Sequence, residues 1–227
     1  MTPVHKAPPF DVELGSTLAA LGDLLNPTLT PDMIAGMRGG PLTASIEEQL
    51  AGHAVSHQER TIPGPDGAPD LIVSIFTRTD HVPRRTRDLS HAWRWVLICP
   101  MLDDRNETVS SYRLMASGCG TVPATTPVGM PCSATGRKTP EVSVYAAPAR
   151  ATDLSGLPPA FIDVATAEVF RDEVAAYASG IWAVGGVAEL HVWAGGFHGF
   201  DMIVPQAALS IHARDVRTKW VRRILGA

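Results

Sequence analysis

Residues 157–205 constrain this chain more than any other stretch. Leu157-Pro-Pro introduces Ala160-Phe-Ile-Asp-Val-Ala, an apolar run of strand length. Phe170, Val174, Tyr177, Ala178, Ile181 and Trp182 then recur at i, i+4, i+7, i+8, i+11 and i+12, the stripe of a helix packed on a sheet. Gly185-Gly186 stops that helix, and Glu189–Trp193 reads as the next strand. Pro205 can open a last helix with Leu209, Val216, Trp220 and Ile224 on its inner face. Strand, helix, strand, helix in this order predicts a parallel, right-handed α/β unit.

That topology gives two side chains a shared position. Glu168 follows the strand ending near Ala165, and His198 follows the strand ending at Trp193. Parallel neighbours place both at one carboxyl edge, where open α/β sheets bind ligands. A carboxylate there can hold a histidine's tautomer, and the histidine can then take a proton from a serine hydroxyl. Gly199 leaves the imidazole accessible. Taken alone, an acid and a histidine in loops are more often two surface residues than a dyad. The nucleophile decides the matter.

Upstream, the chain reads as follows. Leu14, Leu18, Leu21 and Leu25 form one stripe over Asp11–Leu25, ended by Asn26-Pro27. A second short helix is predicted over Pro31–Met37, and Ser45 with Glu48 forms a capping box. Residues 1–52 are thus a helical arm, either a lid or simple packing, and packing is the commoner use of such a stripe. His53–Ile62 and Leu71–Arg78 flank Pro63-Gly-Pro-Asp-Gly-Ala-Pro and predict a hairpin. His53 and His57 would lie about 13 Å apart on a strand, too far for one metal. Residues 79–94 carry four arginines and read as a solvated loop rather than an anion site. Val96-Leu-Ile-Cys-Pro predicts a strand buried on both faces, with Cys99 an inert core thiol. Residues 113–140 show neither helical nor strand period, and a structureless stretch of this length is unusual inside a compact domain.

Composition narrows the classes. A net charge of −4 argues against a nucleic-acid surface, and no run of apolar residues is long enough to span a membrane. The first fifteen residues lack the apolar core of a signal peptide. Three cysteines make neither a CxxC pair nor an even disulfide framework, so a reduced, cytoplasmic protein is the expectation.

Four blocks carry a family likeness: LPPAFIDVATAEVFRDEVAAYASGIWAVGGVAELHVWAGGFHGFD (157–201), LICPMLDDRNETVSS (97–111), YAAPARATDLSG (145–156) and RTIPGPDGAP (60–69). With them the chain resembles the hormone-sensitive-lipase-like branch of the α/β-hydrolases, carboxylesterases that cleave acyl esters through a Ser–acid–His triad. The resemblance implies a mostly parallel sheet flanked by helices, with 1–52 as an N-terminal helical cap and 53–227 as the hydrolase domain. It implies a small acyl ester as substrate and no cofactor or metal. It places Glu168 at the triad acid and His198 at the triad base, with Asp172 as the alternative acid.

The departures are as informative. Relatives carry His-Gly-Gly-Gly, which helps form the oxyanion hole, and Gly-x-Ser-x-Gly, the elbow of the nucleophile. Neither motif occurs anywhere in this sequence. Both belong in the interval 79–95, so the central strands of the family's sheet are expected to be missing. Ser90 and Ser133 lack the glycines an elbow needs, and Cys119 and Cys132 lack an elbow context for a cysteine hydrolase. Over 115–139 a shifted reading frame relative to relatives would account for the lost periodicity. The expectation is therefore an incomplete hydrolase with acid and base but no nucleophile, or a non-catalytic remnant. A remnant could pair with itself or with an intact relative through its last strand and helix.

Overall fold

A strand can be apolar on both sides only where both faces of its sheet are covered. Ala160–Ala165 meets that condition, since all six residues are buried. The computed structural model describes residues 8–22, 45–64, 69–80, 94–116, 139 and 141–225, without the side chains of 114–116 and 225. In chain order the helices are α1 (Val12–Leu21), α2 (Ile46–Leu50), α3 (Val109–Ala116), α4 (Arg171–Ala183), α5 (Phe200–Ile203) and α6 (Ala208–Leu225). The strands are β1 (Val55–Ile62), β2 (Leu71–Arg78), β3 (Trp95–Ile98), β4 (Ala160–Ala165) and β5 (Ala188–Trp193). The predicted helix Pro31–Met37 lies outside the described residues, as do Ser90, Cys119, Cys132, Ser133 and nearly all of 115–139.

The chain divides into two compact units, Asp32–Ser90 and Met1–Pro31 with His91–Ala227. In the smaller unit, β1 and β2 pair antiparallel in register from Val55↔Arg78 to Ile62↔Leu71, the hairpin that the turn signal predicts. The capping box ahead of α2 is present. The Glu48 N–H donates to Ser45 Oγ at 3.1 Å, and Glu48 Oε2 accepts from the Ser45 N–H at 2.8 Å.

In the larger unit, β3, β4 and β5 form a parallel sheet in that order. Alternation divides β4 between two cores. Ala160, Ile162 and Val164 pack with Val174, Tyr177, Ala178 and Ile181 of α4. On the other face, Phe161 stacks on His191 and tilts against Trp220 of α6, with ring centroids 5.0 and 5.7 Å apart. Ala165 joins Leu14, Trp193, Phe197, Phe200 and Ala213. The sheet is therefore covered by α4 on one side and by α1 and α6 on the other.

Two details differ from the sequence-based expectation. Trp182 ends the α4 stripe at the rim, 47% exposed, with its indole N–H donated to the Ala188 carbonyl at 2.9 Å. β3 is not buried on both faces: Val96 and Ile98 are exposed while Trp95 and Leu97 turn inward. The physical reason lies in its place. β3 is the outer strand of the described sheet, so only its inward residues meet α4.

Asp11 caps α1, its Oδ1 accepting from the N–H groups of Glu13 (3.0 Å) and Leu14 (3.1 Å). The same residue's N–H donates to the Gly195 carbonyl at 2.9 Å. Asp11→Ala is expected to lower stability by about 1 kcal/mol through loss of the cap. A thermal melt with an unchanged midpoint would refute that.

Candidate active site

The site is built by two loops at the carboxyl edge of β4 and β5. The first turns tightly: Glu168 Oε2 accepts from the Ala165 N–H at 3.0 Å, folding the loop back on the strand end. Three bonds then fasten the loops together. The Thr166 N–H donates to Trp193 O (2.9 Å), the Ala167 N–H to Gly196 O (2.9 Å), and the Gly195 N–H to Thr166 Oγ1 (2.8 Å). Gly195 has φ +82° and passes so close to α1 that a Cβ would lie 2.4 Å from Asp11 N. No other residue fits there.

This scaffold brings Glu168 and His198 together. Glu168 Oε1 lies 3.3 Å from His198 Nδ1, with the carboxylate buried and the imidazole one-third exposed (33%). Gly199 adopts a left-handed conformation immediately after the histidine. The imidazole and the Phe170 ring stand at 77° to one another, with centroids 5.4 Å apart. With Nδ1 facing a carboxylate, the other ring nitrogen is the one free to exchange protons with a substrate.

Asp172 is not in this pair. Its Oδ2 accepts from the Ser110 N–H at 2.7 Å and its Oδ1 from Arg171 Nε at 2.7 Å. Burial would raise its pKa, but Arg171 and the Ser110 hydrogen bond hold it below the usual range. It ties α4 to α3. Ser110 is likewise committed, donating its hydroxyl to the Val169 carbonyl at 2.7 Å.

Two groups at this edge escaped the sequence reading. Glu173, on the first turn of α4, is buried and accepts from the N–H groups of Leu102 (2.6 Å) and Asp103 (3.0 Å). Burial outweighs those bonds and pushes its pKa up to about 7, with Asp103 and Glu168 adding repulsion. Cys99, read as a core thiol, stands at the end of β3 and is half-buried. Its N–H donates to the Asp163 carbonyl at 2.8 Å. Burial alone would lower the His198 pKa, but Cys99 and Glu168 together raise it to about 10. The signal available in the sequence was positional: Cys99 ends a strand at the same edge as Glu168 and His198.

Among the described residues no cluster of three or more His, Cys, Asp or Glu side chains could hold a metal ion. No described helix is long and apolar enough to cross a membrane.

Comparison with known proteins agrees with this architecture. A family model described as the alpha/beta hydrolase fold matches residues 81–202, more than half of the chain. The chain belongs to that family. Among solved structures, a bacterial heroin esterase superposes with a TM-score of 0.66 at 22% identity, covering 95% of this chain and 98% of that one. A serine-to-alanine mutant of the esterase rPPE, complexed with (S)-Ac-CPA, gives 0.60 at 16% identity, covering 92% and 95%. DphMB1 gives 0.50 at 22% identity, and the match spans 58% of this chain but only 43% of that one. At these identities the likeness is one of fold. No curated protein sequence matches the chain significantly.

Proposed function

We propose that this chain is a carboxylic ester hydrolase by descent, of the hormone-sensitive-lipase-like branch, which keeps the acid and base but not the serine. The observation that carries the reading is the contact of 3.3 Å between Glu168 Oε1 and His198 Nδ1 at the edge of adjacent parallel strands. In an intact enzyme Glu168 would orient the imidazole, and His198 would take the serine proton and return it to the leaving alcohol. Losing a nucleophile removes most of what a triad supplies. Without Gly-x-Ser-x-Gly and His-Gly-Gly-Gly, the serine route has neither attacking atom nor oxyanion donors.

β3 has a neighbour on one side only among the described strands, which supports the view that strands present in relatives are missing beside it. A non-catalytic remnant paired with a second copy or a relative, through β5 and α6, is the companion reading, because β5 has a neighbour on one side only in the described sheet.

Steady-state hydrolysis of p-nitrophenyl acetate is expected to be indistinguishable from that of heat-denatured protein. Sustained turnover that survives Cys99→Ala and disappears in His198→Ala would overturn the claim of a lost nucleophile.

A further inference from the structure

One buried acid at the carboxyl edge of the sheet has a hydrogen-bond pattern that suits its neutral form. Glu173 sits on the first turn of α4 and is 2% exposed. Its Oε1 accepts from the Leu102 N–H at 2.6 Å and from the Asp103 N–H at 3.0 Å. Its Oε2 is buried and has no hydrogen-bond partner among the described residues. A carboxylic acid divides in this way, its carbonyl oxygen taking two donors while its hydroxyl carries the proton. A carboxylate spreads its charge over both oxygens, and burying one of them without a donor is costly.

The turn that Glu173 holds has other ties. Leu102 O accepts from the Ala149 N–H at 3.0 Å, and Asp104 takes both Nε and Nη2 of Arg150, at 2.6 and 3.0 Å. The turn can therefore part from α4 while staying fastened to the segment Pro148–Arg150. Leu102 belongs to the same core cluster as Val169 and Phe170, and Phe170 stands beside His198. A shift of the turn would reach the wall of the acid–base pair.

The surroundings of Glu173 supply no compensating charge. The charged groups facing it are acidic, Asp103 from the turn and Glu168 from the loop after β4. Arg105 donates to Asp103, and Arg171 donates to Asp172. From α3, Ser110 is bound to Val169 and Asp172. Tyr177 lies one turn further along α4 and is buried. Burial pushes the Glu173 pKa up to about 7, in keeping with the hydrogen-bond pattern.

We propose that Glu173 is a proton-operated clasp: the neutral acid holds the turn at Leu102 and Asp103 against α4, and loss of its proton releases the turn so that water reaches the carboxylate. Only a proton moves, from Oε2 to solvent, and no bond between heavy atoms changes. The clasp needs neither a serine nor an ester, so it stands apart from the proposed hydrolase descent.

Native-state amide exchange of the full chain, read residue by residue by NMR, tests it. Each rate is compared with the intrinsic rate at the same pH, which leaves the protection conferred by structure. Protection at Leu102 and Asp103 is expected to fall at least tenfold from about pH 5 to about pH 7 and to level off above about pH 8. An opening smaller than global unfolding exposes little surface and responds weakly to denaturant. In about 0.5 M urea these two amides should keep their rates, while the Val164 amide of the buried strand exchanges faster. Glu173→Gln should hold the protection at Leu102 and Asp103 at its acid level across the whole range. Wild-type protection that is flat between pH 5 and pH 7 overturns the proposal with no need of the variant. So does a urea response at Leu102 and Asp103 equal to that of Val164, which would leave Glu173 a contribution to global stability alone. A folded Glu173→Gln protein that still loses protection as pH rises would overturn it as well.

Discussion

Arg217→Ala is expected to cost about 3–5 kcal/mol of stability, among the largest effects of any single substitution in the chain. Arg217 lies on α6 and forks between two carboxylates. Its Nη2 donates to Asp163 Oδ2 at 2.7 Å, and its Nη1 to Asp201 Oδ2 at 3.1 Å. The side chains of Asp163 and Asp201 are only 2% and 7% exposed, and that of Arg217 only 16%. A buried pair is weak evidence for net stability, because desolvation offsets most of the attraction. Removing one partner is different, since it strands the other charges in a poor dielectric. Here one deletion strands two carboxylates, one on the central strand and one at the start of α5. Lysine cannot replace the fork, because a single ammonium does not span both acceptors. Urea unfolding should show the loss as a lower midpoint in both Arg217→Ala and Arg217→Lys. A cost below 1 kcal/mol for the alanine variant would mean that water reaches these carboxylates.

The second large effect is on pH dependence, through Glu173. Its folded-state pKa is raised from 4.5 to about 7, so the folded protein holds a proton that the unfolded chain releases. Stability from this group is complete below pH 4.5, declines as pH rises to about 7, and is flat above. A shift of that size corresponds to about 3 kcal/mol. Other carboxylates move the opposite way. Asp103, Asp172 and Glu189 are held low by their partners despite burial, and they favour the folded state as pH rises. The comparison with Glu173→Gln isolates the group. Glutamine offers an oxygen to the Leu102 and Asp103 N–H groups and carries no charge at any pH. The variant should match the wild type near pH 4.5 and exceed it by about 3 kcal/mol above pH 7.5. Parallel stability curves for the two proteins would refute the assignment.

The fold was legible where periodicity was unbroken. The six-residue run at Ala160, the stripe from Phe170 to Ile181 and the glycine pair at 185–186 each encode one local outcome, and each outcome is present. The Ser45–Glu48 box was legible for the same reason, because capping is decided within four residues. Burial of β3 was not. An apolar run fixes a strand, but whether both its faces are covered depends on which strands lie beside it, and that is a property of the whole sheet. In the site, the proximity of Glu168 and His198 was readable because adjacent parallel strands make their loops neighbours. Cys99, expected in the core, is half-buried at the end of β3, because an apolar run does not fix how its last residue is covered. Glu173 was invisible because its position in a first helical turn explains an acid without any need for burial.

The bond between Asp11 and Gly195 gives the beginning of the chain a hold on the histidine. Leu14 is buried against Phe197 and Phe200 on either side of His198, and Glu13 Oε2 accepts from the Ala208 N–H at 2.9 Å. Residues 11–14 are thus a mooring for the loop, joined to it by backbone, by apolar contact and by the start of α6. A protease that cuts between Phe10 and Asp11 would turn the mooring N–H into a charged ammonium facing the same carbonyl. A cut one turn later would part Asp11 from Leu14 and remove the hold from the α1 side, leaving the histidine loop to the bonds from Thr166 and Ala167 alone.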